Sequence, residues 1–314
     1  MILTAPIIFE PLYMERIWGG RRLETLFGKN LPSGATIGEA WELVDRPEAQ
    51  SVVHYGPLRG KTLNELWSQS RETVFGARYA GAGDRFPLLV KLLDAEERLS
   101  VQVHPPASVA AELKGEPKTE MWYVAAASED ADLYAGLKRG TTREQFEAAL
   151  ENGKCAALLH RIPTRAGDCI FIPSGRVHAI GSGNVIVEIQ QNSDTTYRVF
   201  DWNRTGLDGK PRALHVAESM RSIDFADAEP QLQKAEGETL VACDYFEVQR
   251  WNLDAPREAA PKGDFAVITC LSGSVRCGGE TYGPGQFFLV PAALEDRRLA
   301  PAAQGTTLLR TTIP

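Results

Sequence analysis

An all-β fold with a few short helices, arranged as two barrels, is what this 314-residue sequence predicts, on three observations. Short apolar stretches recur along the chain, most of them bounded by Gly, Pro, Asp or Asn, with no long helical pattern between them. The 28 glycines and 19 prolines are spread rather than clustered, as many tight turns require. Residues 167–173 and 285–291 both run from a glycine (Gly167, Gly285) through five residues to a proline (Pro173, Pro291), with apolar side chains at matching places. This weak repeat reads as one turn-and-strand unit used twice.

Taken in order, strands are expected over residues 40–44, 87–94, 99–104, 120–126, 169–173, 185–190, 246–251, 265–271 and 286–291. The first helix begins at Thr62, which with Glu65 has the spacing of a capping box, and it places Leu63, Leu66 and Trp67 on one face. A second covers 107–113 and is stopped by Gly115. A third is announced by Thr141 and Glu144, carries Phe146, Ala149 and Leu150 as its apolar stripe, and ends at Asn152 and Gly153. The polar, acidic stretch 224–238 reads as a linker, dividing residues 1–228 from 229–314.

Composition bounds the function. A hydrophobic content of 43% supports a substantial core, and a formal charge of -7 leaves no electrostatic footprint for nucleic acid. No run of 18 apolar residues marks a membrane span, and the first residues lack the basic start and apolar stretch of a secretion signal. Cysteines 155, 169, 243, 270 and 277 are odd in number and form no C-x-x-C pair, as for reduced thiols. A cytoplasmic monomer or weak homo-oligomer is the expectation.

The chemistry concentrates in the first part. If 99–104 is a strand, Gln102 and His104 point to the same face. Sixteen residues later Glu120 opens another strand, and His178 follows the Pro173 and Gly175 turn. One amide, two imidazoles and one carboxylate without a thiolate suit a catalytic site for a borderline divalent cation such as Zn²⁺, with Fe²⁺ and Mn²⁺ also compatible. His54, His160 and His215 have no motif around them and read as structural or solvated.

The run Gly167, Asp168, Pro173, Gly175, His178 resembles the second metal motif of cupins, and Gln102, His104 and Glu120 resemble the first, with Gln102 in place of a histidine. Ser100, Gln102, His104 and Pro105, then Lys118 and Glu120, then His178, Glu188, Ser193, Asp194 and Arg198 together resemble type I phosphomannose isomerases in their shorter bacterial form. The similarity runs from about Trp18 to Arg198. It implies two jelly-roll barrels, the N-terminal one carrying a single zinc ion per chain on Gln102, His104, Glu120 and His178. It also implies interconversion of mannose 6-phosphate and fructose 6-phosphate through a cis-enediol, with Arg198 as an active-site arginine. The second repeat has Asp296 where the first has His178, so the second barrel is expected to be metal-free.

Such a reaction needs a base and an electrophile. Glu188 lies within an apolar strand and must face a polar interior, while Asp194 and Lys118 are rival acid/base groups. For the phosphate, Lys91 at the edge of an apolar strand and Ser100 on the face of Gln102 are the candidates. One departure stands out: several relatives carry a histidine just before the Lys-x-Glu element, and Pro117 is there instead. Trp18 and Trp41 either line the sugar site or pack the N-terminal segment, with packing preferred for Trp41.

Overall fold

The protein, described as a computed structural model over residues 3–314, is mostly strand with short helices; Met1 and Ile2 of the N-terminal stretch lie outside the described residues. The first strands are β1 (Leu12–Gly20), β2 (Ile37–Leu43), β3 (Asp45–Arg46), β4 (Ala49–Gln50), β5 (Leu88–Ala95), β6 (Val101–Val103) and β7 (Glu120–Ala127). They are followed by β8 (Asp132–Leu137), β9 (Leu159–Pro163), β10 (Cys169–Ile172), β11 (His178–Ile180), β12 (Asn184–Gln191) and β13 (Tyr197–Phe200). A six-stranded sheet has the order β1-β2-β5-β12-β7-β10 and a five-stranded sheet the order β13-β6-β11-β8-β9. Farther along come β14 (Thr239–Ala242), β15 (Glu247–Leu253), β16 (Arg257–Glu258), β17 (Ala266–Ser272), β18 (Val275–Cys277), β19 (Glu280–Tyr282), β20 (Phe287–Val290), β21 (Arg298–Pro301) and β22 (Thr306–Thr312). They build sheets of order β14-β15-β22-β17-β20 and β16-β21-β18-β19.

These ladders stay separate, so each pair of sheets is an open two-sheet sandwich, with no closed hydrogen-bonded barrel among the described residues. Side chains, not backbone hydrogen bonds, hold facing sheets together. Leu93, Trp122, Ile170 and Ile186 of the first sheet pack on Leu133, Ala135 and Ile180 of the second. Trp251, Ile268, Phe288 and Leu308 meet Val275, Tyr282 and Leu299 in the other sandwich.

Strands β5 and β12 are nearly continuous apolar runs because both of their faces are covered. The outward residues Leu88, Val90, Leu92, Val185, Val187 and Ile189 share one core with Phe246, Val248, Val267, Leu289 and Leu309. That core joins the two sandwiches, and Ile7 reinforces it by exchanging two 2.8 Å backbone hydrogen bonds with Leu289. The inward residues of the same strands include Lys91 and Glu188, which is how an apolar run delivers charges to the interior.

The helix Leu63–Gln69 forms with the capping box foreseen at Thr62 and Glu65. The helix expected over 107–113 is a single turn, Ala107–Ala110, continued by hydrogen-bonded turns to Lys114, whose left-handed φ of 55° ends the segment before Gly115. The third helix, Arg143–Glu151, is capped one residue later than expected, by Thr142 and Gln145. Both threonines satisfy the pattern, and a turn in which Thr141 N–H donates to Lys138 O leaves Thr142 as the extended residue. Helices Arg22–Phe27, Arg71–Val74 and Val216–Ser222 were not anticipated. No helix among the described residues is long and apolar enough to cross a membrane.

At the end of β1, the pairing with β2 is interrupted between Glu15 and Gly20. A Cβ on Gly19 would fall into the backbone of Ile37 and Gly38, so only glycine permits this approach. Gly19→Ala should therefore lower the unfolding free energy by about 2 kcal/mol, the usual cost of overpacking, measured as a drop in the urea midpoint.

Candidate functional site

Strand pairing explains how distant residues meet. β6 lies between β11 and β13, with Gln102 opposite both His178 and Arg198. One row across three strands thus presents Arg198, Gln102 and His178. On the facing sheet, β12 lies between β5 and β7, and Glu188 is opposite Lys91 and Trp122. Period-two alternation keeps Glu120 on the inward face with Trp122. The two rows bound a cavity of about 570 Å³, also lined by Trp18, Glu39, Ser100, Lys118, Asp194 and Arg212.

Behind Gln102 and Lys118, which line it, His104, Glu120 and His178 offer ligand atoms within 4.8 Å of one another, all from buried residues. Glu120 Oε1 is 3.6 Å from His104 Nε2 and 3.5 Å from His178 Nε2. A tetrahedral metal with bonds of about 2.1 Å separates its ligand atoms by about 3.4 Å, which the two Glu120 distances match. His104 Nδ1 lies 2.8 Å from Thr195 O and His178 Nδ1 lies 2.9 Å from Arg176 O. Each Nδ1–H donates to its carbonyl, which leaves the Nε2 lone pair aimed inward, the usual support of a ligating histidine. His104 Nε2 and Glu120 Oε1 are buried without a hydrogen-bond partner, a costly arrangement that a cation relieves.

The titration of the groups agrees. Burial, reinforced by Lys118, lowers His104 to about 4, and burial also lowers His178. Both rings are therefore neutral and able to ligate. Burial alone would raise the Glu120 carboxyl, but Lys118 and the two histidines hold it well below the usual range. Gln102 Nε2 is 3.2 Å from His178 Nε2. Turning the amide by half a rotation puts its oxygen there instead, completing a set of two nitrogens and two oxygens.

The other expected residues also gather here. Lys118 Nζ is 2.7 Å from Glu120 Oε2 and 3.8 Å from Glu188 Oε1. Because β7 starts at Glu120, the preceding loop and not strand alternation brings Lys118 in. Lys91 sits in the middle of β5 instead of at a strand edge, with Nζ 3.2 Å from Glu188 Oε1 and 3.9 Å from Glu39 Oε2. Burial opposes its charge, yet Glu188 and Glu39 raise its pKa. Glu188 also accepts a 3.0 Å hydrogen bond from Trp122 Nε1. Arg198 has no carboxylate partner among the described residues: its Nε donates to Ser100 Oγ at 3.3 Å and its Nη1 to Ala213 O at 3.0 Å. Burial and neighbouring Arg212 lower its pKa. Ser100 Oγ is in turn 3.3 Å from Gln102 Oε1, linking the arginine to the amide. Asp194 is exposed on the cavity wall.

Sequence reasoning missed Glu39, Arg16 and Arg212. Glu39 accepts hydrogen bonds from Trp41 Nε1 at 2.6 Å and Arg16 Nε at 3.2 Å. Burial would raise its carboxyl, but Lys91, Arg16 and the indole bring it down to about 2. Its signal was its place, two residues before Trp41 on the inward face of β2. Trp41 packs under Lys91 Nζ, 5.2 Å from the ring centre, while Trp18 lines the cavity. The thiols are all unpaired, and His54 is exposed beside Glu10. His215 is not isolated: its Nδ1 accepts from Arg198 N–H at 3.2 Å.

Known proteins share both sequence and shape with this chain. The family model of the phosphomannose isomerase type I catalytic domain matches residues 8–123. The mannose-6-phosphate isomerase ManA of Bacillus subtilis (strain 168) is 40% identical over 309 residues, spanning 94% of this chain and 96% of that protein. A crystal structure of the mannose 6-phosphate isomerase from Bacillus subtilis superposes with a TM-score of 0.86 at 33% identity, covering 98% of this chain and 100% of that one. A mannose 6-phosphate isomerase bound with zinc and yttrium shares the fold, with a TM-score of 0.74 at 16% identity, covering 98% of this chain and 99% of that one. With relatives this close over nearly its whole length, the chain belongs to the type I mannose-6-phosphate isomerase family.

Proposed function

We propose that the protein interconverts mannose 6-phosphate and fructose 6-phosphate by moving a proton between C2 and C1 through a cis-enediol, with one zinc ion per chain. The observation that carries this reading is the convergence of His104, Glu120 and His178 directly behind Gln102 and Lys118, in the wall of a cavity that Glu188 and Arg198 also line. A relative of the same fold is described as bound with zinc, and the two-nitrogen, two-oxygen donor set suits that metal. Gln102, His104, Glu120 and His178 would hold it. When bound, zinc supplies positive charge that polarises or orients the sugar oxygens.

The protein's own groups do the rest. Glu188, Lys118 and Asp194 are the groups proposed to take the proton from C2 and return it to C1, while the hydroxyl proton of O2 leaves and O1 gains one. The ion pairs of Glu188 with Lys91 and Lys118 favour the first two, because they form one buried proton-holding network. Arg198, permanently charged and without a carboxylate partner among the described residues, faces the oxygen that becomes negative. Ser100 and Lys91 are the proposed phosphate contacts, with Arg16 and Arg212 adding positive potential to the same cavity. We read the two sandwiches as cupin-type units, residues 1–228 carrying the metal and the chemistry and residues 229–314 carrying no metal.

A coupled assay of fructose 6-phosphate formation from mannose 6-phosphate tests the proposal. Turnover should vanish on chelation and return with zinc. A zinc-loaded protein that turns over neither sugar phosphate would overturn it.

A further inference from the structure

The two sandwiches can be matched strand by strand through their pairing. The order β2-β5-β12-β7-β10 in the first corresponds to β14-β15-β22-β17-β20 in the second. The repeated glycines set the register: Cys169, two residues after Gly167, pairs with Tyr123, and Phe287, two after Gly285, pairs with Thr269. Trp122 therefore corresponds to Ile268. Trp122 is opposite Glu188, and Ile268 is opposite Arg310. Glu188 in turn is opposite Lys91, and Arg310 is opposite Gln249. Thus Arg310 occupies the place of Glu188, Gln249 that of Lys91, and Ala266 that of the metal-side Glu120.

The second sandwich has an open cavity of about 450 Å³ at this place. Its lining includes Arg257, Lys262, Arg297 and Arg310, with Glu258 as the one acid. Arg297 is paired with Glu258 at 2.9 Å and Arg257 with Glu238 at 2.6 Å. Lys262 and Arg310 have no ion-pair partner among the described residues. Within ion-pair distance these four cations meet two carboxylates, Glu258 and Glu238, while Glu247 and Asp264 act on Arg310 from farther off. Arg310 is half-buried and held in place: Nε donates to Ala259 O at 2.6 Å and Nη1 to Gln249 Oε1 at 3.3 Å. Its Nη2 makes no hydrogen bond among the described residues. Such a fork, fixed on one side and free on the other, is suited to a tetrahedral oxyanion.

We propose that this cavity is a second ligand site, which binds a small phosphate-bearing dianion between Arg310 and Lys262. It lies in the other sandwich from His104, Glu120 and His178 and needs no metal.

Trp251 provides the readout. Its indole N–H donates to Gln249 Oε1 at 3.0 Å, the same oxygen that accepts from Arg310, and Arg257 lies 3.6 Å over its ring. In the ¹⁵N-labelled, zinc-loaded full-length protein, the Trp251 indole signal, assigned with Trp251→Phe, is followed during titration with inorganic phosphate and with fructose 6-phosphate. Trp18 and Trp41 report the catalytic cavity in the same spectra. The Trp251 signal should move saturably with at least one of these probes and lose the response in Arg310→Gln. Lys262→Glu, at an exposed position that does not endanger folding, should weaken the response at least about tenfold with isomerase turnover unchanged. A Trp251 signal that stays still with both probes, or that moves equally in the wild type and both variants, would overturn the proposal.

Discussion

His178→Ala is expected to remove the metal and the activity together. The ring is fully buried, its Nδ1–H is committed to Arg176 O, and its Nε2 faces Glu120 Oε1 at 3.5 Å. Alanine deletes one of four proposed ligands, a neutral nitrogen donor that nothing else nearby replaces. Even partners one step removed from a metal cost about 10- to 100-fold in affinity or activity when lost, so removing a ligand should exceed about 100-fold. The metal content, measured by mass spectrometry on protein purified without added zinc, should fall with turnover. A melting temperature that rises with zinc in the wild type should stop responding in the variant, because binding to the folded state alone is what stabilises it. Full zinc occupancy in His178→Ala would remove His178 from the ligand set.

Arg198→Ala should separate the two properties. The guanidinium touches Ser100 Oγ and Ala213 O and none of the three clustered ligands. Metal content should therefore stay at the wild-type level while turnover falls by about 10²- to 10³-fold, the scale of losing one preorganised donor to a developing negative oxygen. Arg198→Lys should recover only part of this, since a compact ammonium cannot reproduce the fork that spans Ser100 and the cavity. Equal metal loss in Arg198→Ala and His178→Ala would contradict the division between metal holding and catalysis.

Glu39 shows how the site is supported from behind. It shares Lys91 with Glu188 and is itself fixed by Arg16 and the Trp41 indole. A buried carboxylate held at about 2 stays ionised at any pH where the enzyme would work. Lys91 is thereby kept charged at the centre of an apolar strand, where an unpaired lysine would shed its proton.

Much of the site was legible because its signals are local. Gln102 and His104 share a face through strand alternation, a property of two residues and their spacing. The strands holding Lys91, Glu120 and Glu188 were apparent from apolar runs between turn residues, and the Thr62 cap from four consecutive positions. Local patterns failed where two solutions fit equally, as at Thr141 and Thr142, and where the consequence depended on a distant partner. Glu39 looked like any acid in a strand until β2 was placed beside β5, and the absence of barrel closure is a property of sheet edges that no segment carries alone. Residue chemistry and alternation are written in neighbouring positions, so the candidate metal donors and the overall β character could be read directly. Strand order is set by which apolar faces bury one another, and only the tertiary structure decided that Arg198, Gln102 and His178 form one row, or that Arg310 stands where Glu188 does.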